Sequence, residues 1–124
     1  MSKLRKGSIL IALTAVLALV FAISAFGAPA TSAATTVGVT AGKPTEFHFT
    51  LTKKSAPKGV VTFKFANKGM IEHDFKIAGK KTAHIGPGKT ATLKITFKKA
   101  GKYPYLCTLP SHAAAGMKGV FVVK

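Results

Sequence analysis

Residues 103–119 run Tyr103-Pro104-Tyr105-Leu106-Cys107-Thr108-Leu109-Pro110-Ser111-His112-Ala113-Ala114-Ala115-Gly116-Met117-Lys118-Gly119. Tyr103, Tyr105 and Cys107 share one parity, as side chains on the core face of a half-buried strand do. Cys107 closes that series, so its sulfur is expected to point inward at one end of the strand. A continuous apolar run, Val120 to Val123, follows as a second strand. The loop between them spaces Cys107, His112 and Met117 as C-x4-H-x4-M. A lone Cys is usually a small buried hydrophobe, and a lone Met in an Ala/Gly loop means nothing. Three metal-capable groups in one inter-strand loop do.

Working outward, the same period of two recurs upstream. Phe47, Phe49 and Leu51 alternate with Glu46, His48 and Thr50, and Val61, Phe63 and Phe65 with Thr62 and Lys64. Leu93, Ile95 and Phe97 alternate with Lys94, Thr96 and Lys98. His73, Phe75 and Ile77 share a parity, which puts His73 at the start of a strand. Turn signals rich in Gly and Pro separate these runs: Gly42-Lys43-Pro44, Ala56-Pro57-Lys58-Gly59, Asn67-Lys68-Gly69, Gly79-Lys80-Lys81, Gly86-Pro87-Gly88 and Ala100-Gly101-Lys102. With Val37 to Thr40 included, about seven short strands are expected, an all-β sandwich without repeats or a second domain.

Two strand ends and one loop can therefore bring His73, Cys107, His112 and Met117 together. One thiolate, two imidazoles and a weak thioether make a soft, roughly trigonal set with a distant axial ligand, which suits copper in both oxidation states. A structural zinc site more usually holds four strong ligands, with two or more Cys. Four protein ligands leave no position for a substrate, so an electron carrier is expected and an enzyme is not. A copper enzyme with a second metal site needs more than the four His present. His48, between two Phe, is expected to face solvent, and His84 to sit in a turn near the metal end; neither is read as a ligand.

At these residues the chain resembles the cupredoxins, the plastocyanin, azurin and auracyanin group of blue copper proteins. Cys107-Thr108-Leu109-Pro110-Ser111-His112 is similar to the azurin-type Cys-Thr-Phe-Pro-Gly-His segment, and Met117-Lys118-Gly119 to that family's Met-Lys-Gly. Val61-Thr62-Phe63, Asn67-Lys68-Gly69 and Glu72-His73-Asp74-Phe75 resemble the strand and turn that deliver its first His ligand. The likeness runs from about Val37 to Lys124. It implies a Greek-key β-sandwich with one type 1 copper ion near one end, held by His73, Cys107 and His112 with Met117 axial. It also implies that His112 lies nearest the surface, ringed by apolar residues for which Met70, Pro87, Pro110 and Ala113 to Ala115 are the candidates. One departure matters: the family usually carries Asn after the first His, and here Asp74 stands there, facing Thr108.

The N-terminus has a different composition. Lys3, Arg5 and Lys6 precede a 19-residue apolar run from Ser8 to Phe26, and small residues follow from Gly27 to Ala34. Basic, apolar, then small is the order of an export signal, with Ala28-Pro29-Ala30 fitting a cleavage site and the positions after Ala33 or Ala34 as alternatives. A run of this length also suffices for an uncleaved membrane anchor over residues 8–26. In both cases the basic end stays inside and the rest is exported, to the periplasm or the extracellular space. The expected organisation is a signal or anchor at 1–30, a linker at 31–36 and a copper-binding domain at 37–124.

The whole chain carries 19 Lys and Arg against three acids, a net +16. Loss of residues 1–30 leaves 16 basic residues and all three acids, Glu46, Glu72 and Asp74, a formal +13. Most of this charge reads as a solvated surface. Export and the lack of a binding motif argue against nucleic acid. The expected partners are redox proteins with acidic docking surfaces, met by a monomer that is also able to associate with anionic lipid. A copper-delivery role would favour Met- and His-rich tracts, and only Met70 and Met117 remain after export.

Overall fold

The computed structural model describes residues 26–27 and 33–124. The segment expected to be a signal or an anchor helix lies outside the described residues. Among the described residues there are nine strands and no helix: β1 (Thr35–Ala41), β2 (Phe49–Leu51), β3 (Ser55–Ala56), β4 (Gly59–Asn67), β5 (Lys76–Ile77), β6 (Lys80–Lys81), β7 (Thr90–Phe97), β8 (Gly101–Leu106) and β9 (Lys118–Val123). β1 begins at Thr35, inside the stretch expected to be linker.

Two sheets form, in the orders β2-β1-β4-β7 and β3-β9-β8-β5-β6. The chain crosses between them repeatedly: β4 to β5 and β6, back to β7, then over again to β8 and β9. β1 pairs with β4 in parallel, from Thr35 opposite Val61 to Ala41 opposite Asn67. β4 pairs with β7 antiparallel, and β8 with β9. The expected sandwich is present, and the inward parity holds along its central strands. On β4, Val61, Phe63, Phe65 and Asn67 are buried; on β7, Ile95 and Phe97; on β8, Tyr105, with Cys107 just beyond its end. β-branched Val, Ile and Thr on β4 and β7 suit a pleated, half-buried surface.

Both sheets contribute to one core. Phe63 is fully buried, with its ring centroid 5.3 Å from Phe75, 5.3 Å from Phe121 and 6.4 Å from Phe97. Phe49 meets Phe75 edge-on at 5.5 Å. The lysines of β4, β6 and β7 face outward, where charge on the edge strands β6 and β7 also discourages sheet-to-sheet pairing.

Phe47 departs from its expected parity. It sits in the turn before β2 and is 36% exposed. Alternation starts only at Phe49, because Gly42 to His48 fold back on themselves, Gly42 N donating to His48 O at 3.0 Å.

Candidate metal centre

Cys107 follows the last residue of β8 and is 1% exposed. Its N–H donates to Met117 O at 3.0 Å, and Met117 N donates to His112 O at 3.1 Å. These bonds fold the loop over the end of the β8–β9 pair, with Cys107, His112 and Met117 all buried. Ser111 and Gly116 take positive φ to close its turns. His73 arrives from elsewhere. It forms an isolated antiparallel bridge with Ile85, His73 N donating to Ile85 O at 3.1 Å and Ile85 N to His73 O at 2.8 Å. Asn67, at the inner end of β4, fixes both neighbours: its Nδ2 donates to Ile71 O and to Ile85 O, each at 2.7 Å.

His73, Cys107 and His112 converge, with their donor atoms all within 4.8 Å of one another. His73 Nδ1 lies 3.1 Å from His112 Nδ1, which lies 3.5 Å from Cys107 Sγ. A metal that binds nitrogen at about 2 Å and sulfur at about 2.3 Å, in a trigonal plane, needs donor separations of about 3.5 and 3.7 Å. The two pairs that include His112 lie within about 0.4 Å of these separations, and His73 and Cys107 are within 4.8 Å of each other. Burial raises the Cys107 thiol above its ordinary range, so the proton must leave with metal binding. Burial, and then the neighbouring His73, push His112 below the usual imidazole value. Both shifts favour neutral groups in the metal-free pocket.

A second tier of residues steadies these donors. Asp74 is fully buried; its Oδ1 accepts Thr108 N at 2.6 Å and its Oδ2 accepts the Thr108 hydroxyl. Asp74 N points at Cys107 Sγ, 3.5 Å away. The carboxylate therefore bonds the Thr108 that it faces and joins the His73 segment to the Cys107 loop. His84 is half-exposed, with Nε2 3.6 Å from Asp74 Oδ2, beyond a hydrogen bond. It lies beside the centre without joining the donor group. His48 is exposed as expected, although in the turn before β2 and not by strand alternation.

Two residues near the donors carry no sign of that role in the sequence. Glu46 Oε1 lies 2.7 Å from His73 Nε2. The same carboxylate accepts Met70 N at 3.0 and 2.9 Å and Ile71 N at 3.3 Å. These bonds, led by the Met70 N–H, hold its pKa below the usual glutamate range. Phe47 packs its ring edge-on against His112, with centroids 5.0 Å apart. Of the apolar residues expected around His112, Met70 is 86% exposed, and Pro87, Pro110, Ala114 and Ala115 are at least partly exposed as well.

Residues 18–124 match the family model described as copper binding proteins, plastocyanin/azurin family. No curated protein matches the chain in sequence. Among solved structures, dithionite-reduced auracyanin from the photosynthetic bacterium Roseiflexus castenholzii is similar over 76% of this chain and 98% of its own, with 22% identity and a TM-score of 0.58. Auracyanin B is similar over 78% and 93%, with 22% identity and a TM-score of 0.61. Rusticyanin from Thiobacillus ferrooxidans is similar over 73% and 77%, with 26% identity and a TM-score of 0.63.

Proposed function

The chain belongs to the plastocyanin/azurin family of copper-binding proteins, and on that premise we propose that it is a one-electron carrier working outside the cytoplasm. In this reading His73, Cys107 and His112 would hold the copper as its strong ligands, and Met117 would supply a weak thioether. The observation that carries it is the convergence of a buried thiol and two buried imidazoles at metal-binding separations. Bound copper supplies the one-electron couple. The protein supplies a donor set held from behind by Asn67, Asp74 and the loop's own backbone bonds, so little has to move when the charge changes. Four ligands also close the site to substrate, which favours a carrier over an enzyme.

His112 is the most exposed of the three converging donors, at 9%. Its ring, with Phe47 against it, is the part of the centre nearest to an approaching partner. A surface with 16 basic residues beyond residue 30 suits acidic redox partners. The association rate with such a partner is expected to fall as salt rises, because steering between exposed charges is screened beyond a Debye length. Stopped-flow rates that stay flat between low and high salt would remove the steering. Residues 1–30 act in this proposal as export signal or anchor, delivering a monomeric domain to the periplasm or the extracellular space.

The test is a visible spectrum of the protein loaded with Cu(II), taken beside Cys107→Ala. An intense band at about 600 nm, from thiolate-to-copper charge transfer, is expected in the parent and absent from the variant. Folded, copper-loaded protein without the band would end the electron-carrier reading. Asp74→Asn adds a graded check. The amide oxygen still accepts Thr108 N, and the Thr108 hydroxyl can turn to accept from the amide nitrogen. Stability is expected to stay within about 1 kcal/mol. The reduction potential is expected to rise, since a buried negative charge beside the centre is gone. Thermal melts and potentiometry read the two separately.

A further inference from the structure

Glu46 is one of only three carboxylate side chains in the chain, and its placement is specific. It comes from the turn before β2, 27 positions before His73, and its Oε1 meets His73 Nε2 at 2.7 Å. Its two oxygens also take the Met70 and Ile71 N–H groups of the loop leading into His73. Gly69 makes the approach feasible. A Cβ at that position would lie 2.3 Å from Glu46 Oε1 and 3.0 Å from His73 Nε2, so any side chain there would displace the carboxylate from the imidazole.

We propose that Glu46 is a positioning residue for the copper centre, fixing the His73 ring with its Nε2–H toward the carboxylate and its Nδ1 lone pair toward the metal, and biasing the couple toward Cu(II). The inference rests on the copper reading above and deepens it. The chemistry is that of a carboxylate–histidine–metal relay. A carboxylate on the far nitrogen locks the tautomer and strengthens the near nitrogen as a donor. A stronger donor favours the more highly charged oxidation state. The two Nδ1 atoms face each other at 3.1 Å, so a proton on His73 Nδ1 would occupy the side the metal must approach. Glu46 holds that proton on the opposite side of the ring. The same carboxylate closes the 68–72 loop over His73, so orientation of the ligand and closure of the loop are one event.

A purely structural role predicts something different, namely a staple whose loss loosens the loop and leaves the couple unchanged. Glu46→Gln separates the two, because it keeps the side chain's size and one acceptor oxygen while removing the charge. In the copper-loaded protein this variant is expected to keep the band at about 600 nm. Its reduction potential is expected to rise by about 59 mV, the equivalent of a tenfold change in the Cu(II)/Cu(I) affinity ratio for a one-electron couple. In the copper-free parent, long-range 15N–1H spectra of the His73 ring are expected to show the Nε2–H tautomer. A variant that keeps the band with an unmoved potential overturns the bias toward Cu(II). A parent with His73 protonated on Nδ1 overturns the positioning. A parent that folds and binds copper without the band instead sinks the blue-copper reading, and the ring tautomer in the copper-free protein still tells the two failures apart.

Discussion

Phe63→Ala is expected to lower the unfolding free energy by about 3–5 kcal/mol, the range for removing a large aromatic from a packed interior. Phe63 is fully buried on the central strand β4 and touches aromatic rings from three directions: Phe75 and Phe121 at 5.3 Å and Phe97 at 6.4 Å. Those neighbours belong to both sheets or to the segments joining them, so the void cannot close by moving one side chain. The two edge-to-face contacts, to Phe97 and Phe121, add about 0.5–1.5 kcal/mol each beyond area burial. At about 4–8 °C per kcal/mol for a domain of this size, the melting temperature is expected to fall by about 12 °C or more. Val120→Ala, at a residue 48% exposed, is the control and is expected to stay within about 0.5 kcal/mol. A Phe63→Ala melt indistinguishable from the parent's would mean that the two sheets do not share the core described above.

Gly42→Ala is the second large effect, and it works through the backbone. Gly42 has φ +79°, and a Cβ on it would lie 2.3 Å from Gly69 Cα and 2.4 Å from Gly69 N. Main-chain atoms cannot rotate out of the way, so one of the two loops must move. The left-handed conformation costs about 1–2 kcal/mol and the overpacking about 1–3 more, for a total of about 2–5 kcal/mol. Gly88→Ala isolates the first part: φ is +75° there, and nothing lies within 4 Å of the new Cβ. The Gly42 variant is expected to melt well below the Gly88 variant. Its copper band is expected to shift or weaken too, because the displaced loop carries the Met70 and Ile71 N–H groups that hold Glu46 against His73. Equal melting temperatures for the two alanine variants would show that the loops yield freely at Gly69.

The strands with long, regular alternation and the C-x4-H-x4-M loop are legible in the order of residues itself, because local periodicity and spacing carry both. Cys107 is buried just beyond the end of β8, and His73 meets it there, although from an isolated bridge three residues before β5 and not from the start of that strand. Other features depend on contacts far apart in the chain. The parallel pairing of β1 with β4 is not written in either strand, since parallel partners share no turn. Lys80–Lys81 read as a turn yet pair with β5, and Ser55–Ala56 pair with β9 at the edge of the second sheet. Two-residue strands are too short to show a period. Alternation assigns Glu46 and Phe47 to the faces of a strand. The Gly42–His48 turn takes both out of it and delivers them to His73 and His112. A charged residue beside a Phe carries no local sign of such a task; only the fold places the two loops together.

The scarcity of carboxylates has a consequence for acid tolerance. Proteins unfold in acid largely because carboxylates that are paired in the native state must take up protons. Here acidification can add at most seven side-chain charges to a surface already strongly positive, one for each of three carboxylates and four histidines. Glu46, its pKa depressed first by the Met70 N–H, contributes stability above the ordinary glutamate value of about 4.3, and that contribution is lost as pH falls through its lower native value. His112, depressed by burial, contributes in the same sense above about 6.5 and is shielded from protonation while a metal holds its ring. Both groups stand at the metal centre. Four of the seven, Glu46, His73, Asp74 and His112, belong to the donor group or bond to its residues, so acid acts on this domain largely through its metal site and less through its lysine-covered scaffold.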